Sequence, residues 1–310
     1  MTSLSSRGHF SKIKKYRALF LMVLPGIIYL VINNYLPMFG MIIAFKDLNF
    51  AKGILGSDWI GLKNFEYLFK TNDAYIITRN TILYNMVFIV LDLIVAVSLA
   101  ILLNELRKKV LSRFYQSVLL LPYLISSVIV GYLVFSLLSM ESGFINKSIL
   151  PMLGLGEMNW YNEPKYWPYI LTLVQVWKHA GYLCVIYLAA IIGIDQEYYE
   201  AATIDGANKF QQIIRVTIPL ITPVIVIMTL LQIGKIFHSE FGLFYQVPLD
   251  SGMLMPTTNV IDTYVYRALL KNGDIGMSSA AGLYQSVVGF VLVLVSNVVV
   301  RKLNRENALF

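Results

Sequence analysis

Apolar residues run in long uninterrupted stretches along this chain, and polar positions gather between them. Six stretches are long enough to cross a bilayer as helices, which takes about 20 residues for a hydrocarbon core of about 30 Å. They are Ala18–Leu36, Thr81–Leu103, Tyr115–Leu138, Tyr169–Ile194, Val216–Phe237 and Ala280–Val300. In lipid the backbone must satisfy its own hydrogen bonds, so continuous apolarity predicts helices. The period-two alternation of a membrane barrel is absent. The expected fold class is an all-α membrane protein with six transmembrane helices, residues 1–310 forming a single transmembrane domain.

The segments between the runs set the expected topology. Six spans place both termini on one side. The termini and loops of that side carry fourteen lysines and arginines, against nine in the longer segments of the other. The positive-inside rule then predicts a cytoplasmic N-terminus (1–17), a cytoplasmic loop at 195–215 and a cytoplasmic C-terminus (301–310) in the cell membrane. The first run has a basic flank (Lys12, Lys14, Lys15, Arg17) and continues into Tyr35-Leu36-Pro37-Met38 with no small-residue cleavage site, so it is expected to stay as a helix. On the outer side, Trp59–Lys70 has apolar residues near helical spacing and reads as a helix lying along the membrane face. Gly154–Trp167, rich in Gly, Pro, Trp and Tyr, reads as irregular.

Composition agrees with this pattern and narrows the function. Hydrophobic residues make up 57% of the chain and charged residues 14%, with a mean hydropathy of +0.65; soluble proteins run at about 25% charged. The net charge of +7 is no nucleic-acid signal, because the basic residues sit at the ends of apolar runs and not on a soluble face. The single cysteine, Cys184, lies inside an apolar run and excludes an intrachain disulfide. There is no Gly-x-x-x-x-Gly-Lys-Ser/Thr phosphate loop and no Gly-x-Ser-x-Gly nucleophile motif. His9, His179 and His238 are far apart and lack metal-ligand spacing. The chain therefore reads as neither an enzyme nor a cofactor protein.

The most informative segment joins the fourth and fifth runs. It reads Asp195-Gln-Glu-Tyr-Tyr-Glu200-Ala201-Ala202-Thr-Ile-Asp205-Gly206-Ala207 and runs on to Val216-Thr-Ile218-Pro219. Asp195 suits a helix N-cap, although Tyr198 three places on forms no full capping box. Gly206 can take a positive φ where the chain turns into a second helix. Ala201 and Ala202 leave a slim face able to enter a groove on another protein, and Glu200 offers a carboxylate to a basic partner. The segment resembles the EAA loop of binding-protein-dependent ABC importers: Glu-Ala-Ala, three residues, Gly, nine residues, Ile-x-Leu-Pro. Glu200, Ala201, Ala202, Gly206 and Pro219 match, with Val216 and Ile218 as apolar departures. Further stretches resemble LplB-type polysaccharide permeases: Tyr35-Leu-Pro37-Met-Phe-Gly40, Ile43-Ala44-Phe45-Lys46-Asp47, Gly61–Phe65, Ile261–Arg267, Ala281–Ser286 and the terminal Ala308-Leu309-Phe310.

That resemblance implies the type I ABC importer permease fold and a role as half of an alternating-access pore for oligosaccharides derived from complex polysaccharides. It implies a second, related permease, two ATPase subunits carrying ATP and Mg, and an extracellular sugar-binding lipoprotein. The ATPase-coupling residues it implies are Glu200, Ala201, Ala202, Asp205 and Gly206. The alternative is a secondary, ion-coupled sugar transporter, which needs paired ionisable groups and broken helices at the midplane; it does not account for the loop.

Ionisable groups inside spans face a cavity or a partner. Asp92 is the deepest; Lys178 and His179 lie in the fourth run, Lys235 and His238 near the outer end of the fifth. Sugar recognition calls for aromatic faces edged by amides and hydroxyls, making Trp177, Lys178, Tyr182, Tyr187, Gln232, Lys235, Tyr284 and Gln285 substrate-path candidates. Helix packing and interfacial belts explain the same residues equally simply. If both lysines face the pore, acidic sugars are favoured; if Lys178 pairs with a carboxylate, a neutral sugar is compatible.

Overall fold

The computed structural model describes residues 16–66, 70–106 and 108–303. The expectations for the termini, apart from Tyr16, Arg17 and Arg301–Leu303, and for Ala308-Leu309-Phe310 lie outside these residues. The described chain divides into two compact units, one formed by 16–66 with 274–283, the other by 70–273 with 284–303.

In the first unit, α1 (Arg17–Leu30) continues through a π-type turn at Val31–Tyr35 and tighter turns as far as Phe45. The span thus runs to Arg17–Phe45, past the expected end at Leu36. Pro37 does not stop it, because it sits at the first turn of the next helical segment, where its missing N–H was unsatisfied anyway. The expected helix at Trp59–Lys70 is not found. Trp59 pairs with Lys46 in a two-residue antiparallel ribbon, β1 (Lys46–Asp47) and β2 (Asp58–Trp59), and over the described residues to Glu66 a single tight turn, Lys63–Phe65, follows; 67–69 lie outside the described residues. Side chains hold this ribbon together. Lys46 Nζ donates to the carbonyls of Ile54, Leu55 and Ser57 at 3.0, 2.8 and 3.2 Å, and Phe45 stacks on Trp59 with centroids 5.6 Å apart.

The second unit holds α2 (Asn72–Asn104), α3 (Lys109–Leu124), α4 (Ser127–Leu138), α5 (Trp167–Ile192), α6 (Gln196–Ile204), α7 (Lys209–Gln212), α8 (Ile218–Ile233), α9 (Phe241–Gln246), α10 (Ile261–Asn272) and most of α11 (Ile275–Leu303). α7 runs into α8 through a π-type turn, so Lys209–Ile233 is one rod. Among the described residues, five helices are long and apolar enough to cross a membrane, or up to six if α3 and α4 count as one span. The expected single span Tyr115–Leu138 is this pair, bent by 95°. Ile125 and Ser126 are extended, and the Ser126 hydroxyl caps α4 by accepting from Ile129 N–H. Pro122, in the last turn of α3, cannot donate a hydrogen bond. The fifth helix also departs from expectation: it starts earlier and stops at Ile233, leaving 234–240 as a linked series of turns before α9.

Apolar burial explains the packing. One core joins Tyr84 and Phe88 of α2, Val130 and Val134 of α4, Trp167 and Leu171 of α5, and Leu243 and Phe244 of α9. A second joins Ala96 and Ala100 of α2, Leu183, Cys184, Tyr187 and Leu188 of α5, and Ile221 of α8. Both clusters draw on α2 and α5, which therefore form the common packing surface of this unit.

Candidate functional site

The segment 195–219 forms as its sequence suggests. Asp195 is extended and its carboxylate accepts from the Glu197 N–H at 3.2 Å, starting α6. Gly206 takes φ +78°, a left-handed conformation that suits glycine. Asn208 then opens α7 through a reciprocal capping box with Gln211, a signal in the sequence that the reading above did not use. Gln212 Nε2 donates to Thr203 Oγ1 at 3.0 Å and the Ala207 carbonyl at 3.3 Å. Tyr199 OH and Thr217 Oγ1 lie 3.0 Å apart. These bonds clasp α6 to the α7–α8 rod, so the hairpin and the rod are one mechanical piece. Its outer side is open: Glu200, Ala201, Asp205 and Gly206 are exposed and Ala202 is half-buried. A surface groove of about 550 Å³ runs along it past Tyr199, Glu200, Thr203, Ile204 and Lys209. Ile204 and Phe210 stand 86% and 70% exposed there, an apolar display suited to a protein partner.

A second constellation forms around Glu240. Lys178, near the middle of α5, donates from Nζ to Glu240 Oε1 at 2.6 Å and to Ser127 Oγ at 2.8 Å. Ser127, the first residue of α4, donates to the same carboxylate oxygen at 3.0 Å. His179 Nε2 lies 2.8 Å from Glu240 Oε2. The Lys178 side chain is 8% exposed, those of His179 and Glu240 27% and 30%. One carboxylate therefore ties the bend between α3 and α4, the centre of α5 and the 234–240 segment. Neighbouring side chains hold that segment too. Asn85 of α2 donates to the Ile236 carbonyl at 3.0 Å, Asp262 of α10 accepts from Ser239 N–H at 2.7 Å, and Gln285 of α11 donates to the Phe237 carbonyl. Irregular backbone inside a membrane protein needs such partners.

An aromatic face adjoins this hub. Tyr123, near the end of α3, stacks on Tyr182 of α5 with centroids 4.7 Å apart and meets the His179 ring edge-on at 5.6 Å. Tyr182 and Trp177 are exposed. Lys178 and Tyr182 thus come together around the bend with Tyr123, Ser127 and Glu240, while Trp177 is exposed elsewhere on α5 with no contact to them. Sequence reasoning missed those three because their pairing depends on contacts made tens of residues away. A usable signal was present: Glu240 and Asp250 are the only carboxylates between Gly206 and Ile261, and Lys178 needed a counter-ion. Tyr187 is fully buried in the second core. Tyr284 packs edge-on against Phe237, and Gln285 is buried as a scaffold donor. Gln232 is half-buried and Lys235 exposed. The charge of Lys178 is offset by Glu240 within the chain, which is the arrangement compatible with a neutral sugar.

Residues 92–305 match the family model described as "Binding-protein-dependent transport system inner membrane component". The chain is 36% identical, over 95% of its length and 91% of the relative's, to the Bacillus subtilis polygalacturonan/rhamnogalacturonan transport system permease protein YteP. It is 32% identical to Protein LplB of the same organism, over 95% and 92% of the two chains. Among solved structures it resembles a chain of a bacterial ABC transporter involved in the import of the acidic polysaccharide alginate, with TM-score 0.86, 32% identity, and 95% and 99% of the two chains covered. A second match, TM-score 0.86 and 31% identity over 95% and 98%, comes from a bacterial alginate ABC transporter in complex with an alginate pentasaccharide-bound periplasmic protein.

Proposed function

The chain belongs to the binding-protein-dependent transport system inner membrane component family, and from that premise we propose that it is one half of the pore of an ATP-driven importer of oligosaccharides. It is a multi-pass membrane protein. The observation that carries the mechanism is the exposed α6–Gly206–α7 hairpin, clasped by Gln212 and Tyr199 to the α8 rod. A partner ATPase that grips Glu200, Ala201, Ala202, Asp205 and Gly206 would move α8 as a lever, with ATP and Mg supplied by that partner. Two ATPase subunits offer two docking clefts, so a second, related permease completes the pore, and an external sugar-binding protein delivers substrate. Both termini and the hairpin are then cytoplasmic.

For substrate we propose uronic-acid-containing oligosaccharides, the class named for the polygalacturonan and alginate relatives; the support is those relatives and not Lys178, whose charge Glu240 already offsets. The path runs past the Tyr123–Tyr182 stack, Trp177 and the Lys178–Glu240–His179 hub. Aromatic faces receive the C–H-rich side of a sugar ring, and the hub offers donors and acceptors at its edge. The test is uptake of labelled oligogalacturonides and their neutral analogues by cells with and without the gene. Loss of oligogalacturonide uptake with the gene is the expected result; unchanged uptake of both sugars contradicts the assignment. Purified complexes should contain a second permease, and a complex with two copies of this chain and no other permease contradicts the pairing.

A further inference from the structure

At the end of α2 remote from the hairpin lies a cleft of about 540 Å³. At about 1.5 Å per residue, the 33 residues of α2 span about 50 Å, and beyond its other end Glu105 meets Lys209 of α7 at 3.5 Å. With the hairpin cytoplasmic, the cleft opens outward. Tyr264, Arg267 and Lys271, at spacings of three and four residues, form one stripe of α10 along it. Asp73, in the first turn of α2, lines it together with Gly252 and Asn259. All of these residues belong to the second unit.

A hydrogen-bond network fixes this lining. Arg267 donates from Nη1 to Asp250 Oδ1 and from Nη2 to Asn259 Oδ1 and Thr263 Oγ1. Lys271 Nζ donates to the other oxygen of Asp250 at 3.1 Å. The turn that brings Asp250 there holds Leu249 and Asp250 at φ +56° and +47°. That left-handed conformation is unfavourable for leucine and persists where its surroundings impose it. Arg79 adds a third cation, donating to the Pro256 carbonyl at 3.3 Å where Pro256 lines the cleft. Among the described residues at the cleft, these three cations face two carboxylates, Asp73 and Asp250. Polar capacity is left over for a ligand. Lys271 uses one of its three N–H groups on Asp250, and its side chain is 59% exposed. Asn259 is 9% exposed; its Oδ1 accepts from Arg267 and Thr263, and its Nδ2 has no acceptor among the described residues. Asp73 offers a carboxylate from the side of α2. We propose, on the uronate reading of the substrate, that this cleft is an outer subsite for one uronate residue of an arriving oligosaccharide. The uronate carboxylate accepts from Lys271 and Asn259, sugar hydroxyls donate to Asp73, and Tyr264 supplies an aromatic face.

Gly252→Cys adds a thiol to the cleft at a position where a Cβ meets nothing within 4 Å. It is placed in a chain whose sole cysteine, the buried Cys184, is changed to Ala, in full membrane complexes in right-side-out vesicles free of the external binding protein. The readout is the rate at which a membrane-impermeant maleimide modifies this chain. Trigalacturonate should slow modification by about tenfold or more, and neutral trigalactose should not. Lys271→Gln should raise the trigalacturonate concentration that gives half-protection by about tenfold, the worth of one charged hydrogen bond. A thiol beyond the reagent's reach, equal protection by both sugars, protection by neither, or protection that Lys271→Gln leaves unchanged overturns the assignment. So does protection that only the binding protein confers, which would make the cleft a protein-docking surface. Uptake of oligogalacturonide by native cells, measured alongside, tests the substrate reading separately: uptake without protection strikes the cleft alone, and protection without uptake strikes the reading alone.

Discussion

At Gly181 a Cβ would lie 1.8 Å from the carbonyl oxygen of Leu119, so α3 and α5 cross at a distance that only glycine permits. Gly181→Ala must push the helices apart and disturb the Tyr123–Tyr182 stack a turn away. Overpacking of this kind costs about 1–3 kcal/mol. The purified protein should melt at lower temperature, while Gly26→Ala, where nothing lies within 4 Å, should leave the midpoint unchanged. Gly206 is a different case: its need is conformational, at φ +78°, with open space around it. That need was legible from its place after Glu-Ala-Ala and three intervening residues. The need at Gly181 was not, because it depends on a helix some sixty residues earlier in the chain. The same distance hid the pairing of Lys178 with Glu240.

The elements were legible where length and apolarity decide them, and obscure where a polar contact interrupts them. α5 and α11 fall close to the expected runs because nothing within them breaks the helical ladder, and α2 contains its whole expected run but starts earlier, at Asn72 and not Thr81. The bend after Leu124 was hidden because Ser126 and Ser127 are compatible with a membrane helix; only their cap and Glu240 contacts break the run. The expected helix extends to Phe237 because Ile236 and Phe237 prolong the apolar run past Lys235; the backbone partners of 234–240 come from Asn85, Asp262 and Gln285. Gln285→Leu removes the donor to the Phe237 carbonyl and strands a buried acceptor, at about 1–3 kcal/mol. Lower thermal stability of the purified complex is the expected outcome. An unchanged midpoint would show that the segment is held without this bond. The Trp59–Lys70 stretch failed as a helix for a related reason: Trp59 stacks on Phe45 and pairs with Lys46, and a side chain so engaged sets its own backbone.

At the scale of the whole molecule, the proposed coupling makes the hairpin and α8 a lever working against α2 and α5. α2 and α5 share two apolar cores, and the hairpin–α8 rod passes from the exposed coupling surface to the Glu240 hub. Gly206→Pro cannot hold a positive φ, since proline fixes it near −65°, and the turn that sets α6 against the rod must distort. The apolar spans are untouched, so membrane insertion should be normal. The most direct measurement is ATP-driven accumulation of labelled oligogalacturonide by proteoliposomes containing this chain with its second permease and ATPases, loaded binding protein being present. Native complex should accumulate the sugar only with ATP, and Gly206→Pro should abolish accumulation while the complex retains its full complement of membrane subunits. Accumulation driven by an ion gradient without ATP, or full ATP-driven accumulation by Gly206→Pro, would contradict the account.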